Sequence, residues 1–348
     1  MASAIPAGIE SIDPEWLSEA LGAHVVDVSA ERIAVDSGFS SLLYRLRLTG
    51  DDVPTSLIAK LPAQSEARGA MDLLGGYRRE VAFYRDIAGR VPMATPQAHV
   101  ARIADNGVDF VLLLEDLADW DNADHLAGLP MDRARTCIAS LAGLHAWSHD
   151  SANQPALAPF PSIDTPTVRD LMVPAFAFGW QMYGERGSTP VPVRVADFAE
   201  QFAEHAPAAL AALTERNMLL HGDIRADNLF FDGSDVKVVD FQFAARDCGA
   251  ADIAYLVTQG LPTEVRAGHD EALVHEYLAA LDAHGVTGYD FDDAWRHYRF
   301  ATAYLLLMPV VALLSWDAVP ERSRRLCLTL VDRAVAAIVE TDALEVFA

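Results

Sequence analysis

The chain has 348 residues, of which 51% are hydrophobic and 22% are charged, a composition typical of a globular protein large enough for two lobes. Its formal net charge of −24 argues against binding to nucleic acid, whose phosphates require a basic surface, and against anionic membrane surfaces. The charge is compatible with a cationic acceptor molecule, although net charge mainly governs solubility and steering.

Cysteine usage and apolar runs bear on where the protein works. The three cysteines are far apart and form no CxxC pair, which favours reduced, mostly buried thiols. The N-terminus has neither the basic start nor the long apolar stretch of a signal peptide. The longest apolar run, 303–316, is interrupted by Pro309 and is shorter than the ~20 residues of a membrane span. We therefore expect a cytoplasmic protein with a buried helix at that run.

The first part of the chain has the pattern of a β-rich region with one long helix. Asp13-Pro14 predicts a helix start, because an acidic N-cap precedes Pro at the first helical position. Apolar residues recur at helical spacing through 67–89, and the Asp-Asn-Gly turn at 105–107 predicts a hairpin. The predicted strands cover 24–49 with a break at Ser37-Gly38, then 55–61, 97–103 and 108–114.

After residue 115 the pattern becomes mostly helical. The order of elements predicts an α+β protein with a small β-rich N-terminal lobe at 1–115 and a larger, mostly helical C-terminal lobe at 116–348. The predicted elements of the second lobe are helices at 131–149, 168–183 and 195–215, a β-like patch at 219–240, and helices to the end.

Two neighbouring stretches carry residues suited to metal chemistry. The first, 219–231, is LLHGDIRADNLFF, and the second, 236–242, is VKVVDFQ. Asp223 and Asn228 can converge on one point from a tight loop, and Asp240 ends an apolar strand. Mg²⁺ prefers such oxygen ligands and usually takes one or two from the protein beside phosphate oxygens. The remaining carboxylate can orient an acceptor hydroxyl.

These stretches resemble the pattern of the protein-kinase superfamily, H-x-D-x-x-x-x-N followed by a strand that ends in D-F. The His-Gly-Asp form is similar to the aminoglycoside and choline phosphotransferases, and the Asp-Phe-Gln ending most resembles the ecdysteroid kinase-like proteins. By its motifs the resemblance spans roughly residues 35–255. It implies a two-lobed protein-kinase-like fold, ATP as the phosphoryl donor and Mg²⁺ as the metal.

The resemblance also implies a role for each matching residue. Asp223 would be the catalytic acid that orients or deprotonates the acceptor hydroxyl, and Asn228 and Asp240 would hold Mg²⁺. Arg225 stands where protein kinases often have Lys near the transferred phosphate, so it would neutralise developing charge. Asp252 resembles the acid that braces the catalytic loop.

Three histidines are interpreted as outside the chemistry, His221 as a structural residue and His145 and His149 as structural or surface residues. The ring of His221 is expected to support the loop rather than contact substrate. His145 and His149 lie one helical turn apart, which is a metal-like spacing. The zinc-protease pattern requires Glu after the first His, however, and this chain has Ala146 there.

Two charged residues stand in apolar surroundings in the first lobe. Lys60 lies in an apolar strand and Glu80 on the apolar face of the long helix. A buried charge is costly unless it is paired, so the two residues predict an ion pair. In the alternative, Lys60 extends its ammonium to water and Glu80 lies at the edge of the apolar face. The resemblance supports the pair, because this fold uses a strand lysine and a helix glutamate at the nucleotide phosphates.

Nucleotide contacts are expected at two further segments. The turn before the second strand is poor in glycine, and the chain has neither a G-x-G-x-x-G nor a P-loop motif, which argues against Rossmann and P-loop folds. Ser40 and Ser41 of that turn are candidates for contacts with the β-phosphate. The apolar stretch that ends in Glu115-Asp116-Leu117 resembles the hinge, whose backbone at Glu115 and Leu117 would bind the adenine edge.

The sequence favours ATP-dependent phosphoryl transfer to a hydroxyl of a small molecule. Residues 240–252 are too few for the activation segment of a protein kinase, which disfavours protein substrates. Two alternatives stay open on the same fold: a catalytically silent nucleotide-binding pseudokinase and a nucleotidyltransferase. The oligomeric state and the acceptor also stay open, and the expected acceptor is aminoglycoside-, sterol- or amino-alcohol-like.

The acceptor is expected to bind at 151–215 and the C-terminal helices. Candidate residues for an apolar wall of its pocket are Trp180, Tyr183, Phe198 and Phe202, with core packing as the favoured alternative for each. Asp247 and Asp252 would suit an amine.

Overall fold

The computed structural model describes residues 5–34, 41–64 and 67–348, and the chain divides into two compact units. Unit 1 consists of Met1–Trp120 and Lys237–Phe243, and unit 2 of Asp121–Val236 and Ala244–Ala348. The structure differs from the predicted division in two respects, because the first unit extends to Trp120 and 237–243 returns to it. Tertiary contacts place this segment, and its local sequence pattern does not reveal them.

Unit 1 is built on an antiparallel sheet with the strand order β1-β2-β3-β5-β4. Its strands are β1 (His24–Ile33), β2 (Ser41–Asp51), β3 (Ser56–Pro62), β4 (Ala98–Ile103) and β5 (Phe110–Glu115). Its helices are a 3₁₀ turn (Ile9–Ser11), α1 (Pro14–Leu21), α2 (Ala67–Leu74) and α3 (Gly76–Asp86).

Local capping explains where the helices of unit 1 begin. The predicted start of α1 is confirmed, since Asp13 Oδ1 accepts a hydrogen bond from the Trp16 N–H at 2.8 Å. The prediction of a single helix over 67–89 is wrong, because Gly75 adopts a left-handed conformation with φ +69° and separates α2 from α3. Glycine enters this conformation without a steric penalty, so it ends one helix and begins the next.

The alternation of β3 sends its charged residue away from the main apolar core. Leu57, Ala59 and Leu61 lie in a cluster that also contains Leu17 of α1. Side chains alternate between the faces of a strand, so Lys60 lies on the opposite face, where α3 packs against β4 and β5.

Unit 2 is mostly helical, and this contrast with unit 1 confirms the predicted α+β class. Its helices are α4 (Met131–His149), α5 (Val173–Arg186), α6 (Val193–Glu200), α7 (Phe202–Leu213), α8 (Ala250–Gly260), α9 (Thr263–Arg266), α10 (Asp270–Ala283), α11 (Phe291–Tyr304), α12 (Leu307–Ala312) and α13 (Glu321–Glu340). Short strands are β6 (Asp121–Asn122), β7 (Met218–Leu220), β8 (Leu229–Asp232), β9 (Asp235–Val238), whose last two residues belong to unit 1, and β10 (Ala245–Asp247).

The helices of unit 2 differ from the sequence prediction mainly in their continuity. The predicted helix 195–215 is broken at Gln201, where the backbone leaves the helical conformation. The predicted helix 168–183 begins as a π-helical turn, Val168–Met172, before α5. Shorter turns of 3₁₀ helix lie at Gln154–Leu157, Ala226–Asn228, Leu313–Ala318 and Ala343–Phe347.

Aromatic side chains that were candidates for the acceptor pocket pack against one another. Phe202 stacks on Phe176 with ring centroids 3.9 Å apart, and Trp180 stacks on Tyr183 at 5.3 Å. Tyr183, Phe198 and Phe202 are buried. Core packing therefore accounts for these rings without a ligand.

One helical stretch of the described residues, Phe291–Ala318, is long and apolar enough to cross a membrane by length and composition alone. More than half of its apolar window is buried inside the protein, and α11 packs against α7 and α8. Much of this apolar surface is thus buried by packing in the protein core. The absence of a membrane partner stays a prediction from sequence.

The approach of α5 to α12 gives a test of the packing of unit 2. A Cβ added at Gly179 would overlap the backbone carbonyl of Val310, whereas a Cβ at Gly184 of the same helix has no neighbour within 4 Å. We expect Gly179→Ala to lower the free energy of unfolding by about 1–3 kcal/mol through overpacking. The matched control Gly184→Ala should raise it by about 0.5–1 kcal/mol.

Urea denaturation of both variants measures these changes. Equal effects of the two substitutions would contradict the close approach of α5 and α12.

Candidate active site

A buried ion cluster in unit 1 joins residues from three separate segments. Lys60 Nζ donates to Glu80 Oε1 at 2.7 Å and to Asp240 Oδ1 at 3.2 Å. The side chains of Lys60 and Glu80 are 7% and 1% exposed. The predicted ion pair is therefore confirmed as a contact, and the alternative of a solvent-extended lysine is wrong.

The electrostatics of this cluster follow from burial and opposite charge. Burial lowers the pKa of Lys60, but the charges of Asp240 and Glu80 outweigh it and hold the pKa above its ordinary value. Burial raises the pKa of Glu80 to about 7, although the ammonium of Lys60 opposes that shift. Lys60 is thus a permanent positive charge that keeps two carboxylates in one place.

Asp240 has an unusual backbone conformation. Its φ is +68°, a left-handed region that costs about 1–2 kcal/mol for a residue with a Cβ. Such strain persists only where the surroundings determine the conformation, and it is frequent at functional sites. The next residue, Phe241, is fully buried and stacks on Phe83 with ring centroids 3.4 Å apart.

The two serines predicted to contact phosphate have different outcomes. Ser40 lies outside the described residues. Ser41, the first residue of β2, is buried, and its Oγ accepts a hydrogen bond from Gln242 Nε2 at 2.9 Å. Its contact with a phosphate stays a prediction.

Of the two residues predicted at the hinge, Glu115 has its side chain in an ion pair, whereas Leu117 has a backbone N–H that can donate to a ligand. The carboxylate of Glu115 binds Lys237 Nζ at 2.5 and 2.6 Å, so any nucleotide contact of Glu115 must come from its backbone. Its N–H already donates to the Gln97 carbonyl. Among the residues that the structure describes, no acceptor takes the N–H of Leu117, whose carbonyl binds the Trp120 N–H.

In unit 2 the predicted catalytic loop follows β7, and Asn228 ends the 3₁₀ turn Ala226–Asn228. Asn228 Nδ2 donates to the Asp223 carbonyl at 2.9 Å, so the amide folds back over the loop. Arg225 Nε lies 3.2 Å from Asp223 Oδ1. The structure thus brings together the three predicted residues of this loop.

Helix α8 fixes the backbone that precedes Asp223. Asp252 accepts hydrogen bonds from the N–H groups of His221 at 2.7 Å and Gly222 at 2.9 Å. Burial raises the pKa of Asp252, but the hydrogen bond and charge of His145 and the Gly222 N–H outweigh it and hold the pKa low. A charged Asp252 braces the loop, as predicted.

His145 is confirmed as a structural residue. Its Nε2 lies 3.2 Å from Asp252 Oδ2, and its Nδ1 lies 2.9 Å from the Tyr277 hydroxyl. Both ring nitrogens are occupied by buried protein groups. Across the described part of the chain, no group of three or more His, Cys, Asp or Glu side chains is placed to hold a metal ion.

Two residues that sequence reasoning missed also hold the loop. The hydroxyl of Tyr255, one turn after Asp252 on α8, donates to Asp223 Oδ1 at 3.3 Å. His125 Nδ1 accepts from the Ala226 N–H at 3.1 Å, and the backbone N–H of His125 donates to Asp227 Oδ1 at 2.9 Å. The helical spacing of Tyr255 from Asp252 was a usable signal, whereas nothing local marks His125, about a hundred residues earlier.

His125 is neutral in this position. Burial lowers its pKa, and the nearby charges of Arg225, Arg333 and Arg322 lower it further. A neutral ring keeps Nδ1 available as the acceptor for the Ala226 N–H.

The model of the ecdysteroid kinase-like family matches residues 36–286, more than half of the chain. The chain belongs to the ecdysteroid kinase-like family. The match covers the buried ion cluster and the catalytic loop, so both are features of a family domain. No curated protein matches the chain by sequence.

Solved structures show the fold of this family member. A wild-type aminoglycoside 2'-phosphotransferase-IIIa in complex with GDP is 15% identical over 90% of this chain and 93% of its own, with a TM-score of 0.57. Choline kinase from Cryptosporidium parvum Iowa II is 11% identical over 98% and 95%, with a TM-score of 0.57. Ethanolamine kinase from Plasmodium vivax is 10% identical over 91% and 83%, with a TM-score of 0.55.

These likenesses confirm the predicted kinase-like fold and the predicted family. Family and fold together support a small-molecule, kinase-like phosphotransferase. At such low identity they do not identify an acceptor.

A double-mutant cycle tests whether the buried pair acts as a unit. Lys60→Met and Glu80→Gln should each lower the free energy of unfolding by about 3–5 kcal/mol, because each leaves an uncompensated buried group. The double variant should lose much less than the sum of the two. Urea denaturation gives all four values.

The more exposed pair of Lys237 and Glu115, whose side chains are 17% and 33% exposed, is the matched control. Lys237→Met and Glu115→Gln should each cost about 1 kcal/mol or less. Additive losses at Lys60 and Glu80 would contradict their coupling.

Proposed function

We propose that this protein transfers the terminal phosphoryl group of ATP to a hydroxyl of a small molecule. The observation that carries the proposal is the position of Lys60 Nζ, 2.7 Å from Glu80 and 3.2 Å from Asp240. In kinase-like enzymes a strand lysine held by a helix glutamate binds the nucleotide phosphates, and the acid of the D-F motif holds the metal.

The residues present suit a nucleotide. Leu117 offers a backbone N–H to the adenine edge, and Glu115 offers its carbonyl. Lys60 supplies a fixed positive charge for the phosphates. These donors and charges come from the hinge and from the central strand of unit 1, and they match the requirements of ATP.

The donor set also suits Mg²⁺. Because Asn228 Nδ2 is committed to the Asp223 carbonyl, the amide oxygen is the atom left to coordinate a cation. Asp240 of unit 1 carries the other hard oxygen that the sequence predicts for the metal. When bound, Mg²⁺ would neutralise charge on the phosphates.

Asp223 is proposed to orient the acceptor hydroxyl and to take its proton. Both Tyr255 and Arg225 contact Oδ1 of this carboxylate, which supports Oδ2 as the oxygen that meets the hydroxyl. Arg225 is proposed to stabilise negative charge on the transferred group. Positioning and charge supply most of the rate enhancement in phosphoryl transfer.

Replacement of Asp223 tests its role. Asp223→Asn should lower turnover by about 10²–10⁴-fold through loss of the general base, while Mg·ATP still binds. Formation of ADP and phosphorylated product is measured by mass spectrometry over a panel of amino sugars, sterols and amino alcohols, and binding is measured by calorimetry. Asp232→Asn, an exposed acid nearby in β8, is the control and should be fully active.

Wild-type products also separate the alternatives. Pyrophosphate release would indicate a nucleotidyltransferase, and tight Mg·ATP binding without turnover of any acceptor would indicate a pseudokinase. Full activity of Asp223→Asn would remove this residue from its role.

Replacement of Asp240 tests the metal. A ligand that binds only the native state stabilises it by about 2.7 kcal/mol at 100 times its Kd, so Mg·ATP should raise the melting temperature of the wild type. Asp240→Asn should lose most of the part of this shift that depends on Mg²⁺. Asp235→Asn, an exposed acid at the start of β9, should keep it, and an unchanged shift in Asp240→Asn would contradict the ligand assignment.

A further inference from the structure

Gln242 stands where the protein-kinase pattern D-F-G has glycine, and it is buried with 2% exposure. Its Nε2 donates to Ser41 Oγ at 2.9 Å and to Glu80 Oε2 at 3.2 Å. Glycine has no side chain and can make neither contact. The substitution therefore adds two buried hydrogen bonds next to the predicted metal ligand.

These bonds close a ring of contacts within unit 1. Gln242 binds one oxygen of Glu80, Lys60 binds the other oxygen, and Lys60 also binds Asp240. Asp240, at one end of the segment 240–242, is thus bound to β3 through Lys60. Gln242, at the other end, is bound to α3 through Glu80. Both oxygens of the Glu80 carboxylate are satisfied by this arrangement, which a buried carboxylate requires.

The residue between the two ends is also fixed. The ring of Phe241 stacks on Phe83 and meets Tyr84 edge-on with centroids 5.9 Å apart. Gly76, the first residue of α3, allows this approach, because a Cβ there would lie 3.3 Å from the Gln242 carbonyl oxygen and 3.0 Å from Met71 Sδ. The whole segment is thus held against one helix.

We propose that Gln242 is a positioning residue that holds Asp240 in its left-handed conformation and links it to the start of β2 through Ser41. Asp240 needs such support because its φ of +68° is disfavoured for a residue with a Cβ. The link to Mg²⁺ rests on the proposed function, whereas the support of the backbone does not.

Gln242 also connects the metal-binding candidate Asp240 to the segment expected at the nucleotide. Ser41 directly follows the turn predicted to cover the nucleotide. The side-chain amide of Gln242, two residues after Asp240, donates a hydrogen bond to Ser41 and so connects the two segments. Loss of that amide should weaken binding that depends on the metal more than binding of the free nucleotide, because the carboxylate is no longer held in one orientation.

Gln242→Met tests the support directly, since methionine keeps nearly the same volume but cannot donate a hydrogen bond. In the ligand-free protein, hydrogen exchange of the amides at 240–243 should increase about tenfold or more, whereas the amides of α4 in unit 2 should be unchanged. Gln181→Met, on the exposed face of α5, is the control. Unchanged exchange at 240–243 would overturn the proposal.

A second variant covers the case in which Gln242→Met does not fold. Ser41→Ala removes one of the two acceptors of Gln242 and leaves the other in place, so exchange at 240–243 should increase by a smaller factor. No increase in this variant would overturn the link through Ser41.

The functional part is measured by calorimetry with ATP in the presence and absence of Mg²⁺. Gln242→Met should weaken Mg·ATP binding about tenfold and leave binding of metal-free ATP within about twofold. Equal weakening of both, or of neither, would overturn the positioning role toward the metal. A wild-type protein that binds no Mg·ATP would overturn the proposed function and, with it, the role toward the metal, while the exchange experiment still decides the support of Asp240.

Discussion

A lysine buried in the central strand of unit 1 requires negative charge beside it. This requirement explains why a helix and a returning segment of unit 1 each place a carboxylate next to that strand. Lys60 binds Glu80 from α3 and Asp240 from the returning segment. The return of 237–243 to unit 1 and the strained backbone of Asp240 are therefore linked to one ammonium group. Removal of that charge would leave two carboxylates close together without compensation.

In unit 2, helix α8 holds the loop that contains Asp223. Asp252 holds the backbone of the catalytic loop through two N–H groups, and Tyr255, one turn later, holds the side chain of Asp223. A helix thus positions both the backbone of the loop and the carboxylate of Asp223, which is the support that a preorganised site needs. His125 and His145 are both buried; His125 binds the loop directly at Ala226 and Asp227, and His145 acts on it through Asp252.

Much of this arrangement could be predicted from residue types and spacing. Lys60 and Glu80 were identifiable because each is a charge in an apolar pattern, and the pair of motifs around Asp223 and Asp240 indicated the family. The break at Gly75 was missed because a helical pattern continues through it. His125 and Gln242 could not be assigned contacts, because their partners are far away in sequence and only tertiary structure brings them together.

The account depends on Lys60 and Asp240 serving a nucleotide and its metal rather than only the stability of unit 1. A crystal structure with Mn²⁺ and a non-hydrolysable ATP analogue tests this most directly, because anomalous scattering locates the metal without bias. We predict a phosphate oxygen within hydrogen-bond distance of Lys60 Nζ and a Mn²⁺ peak on the carboxylate of Asp240. A nucleotide bound elsewhere, with Lys60 still engaged only by Glu80 and Asp240, would contradict the account.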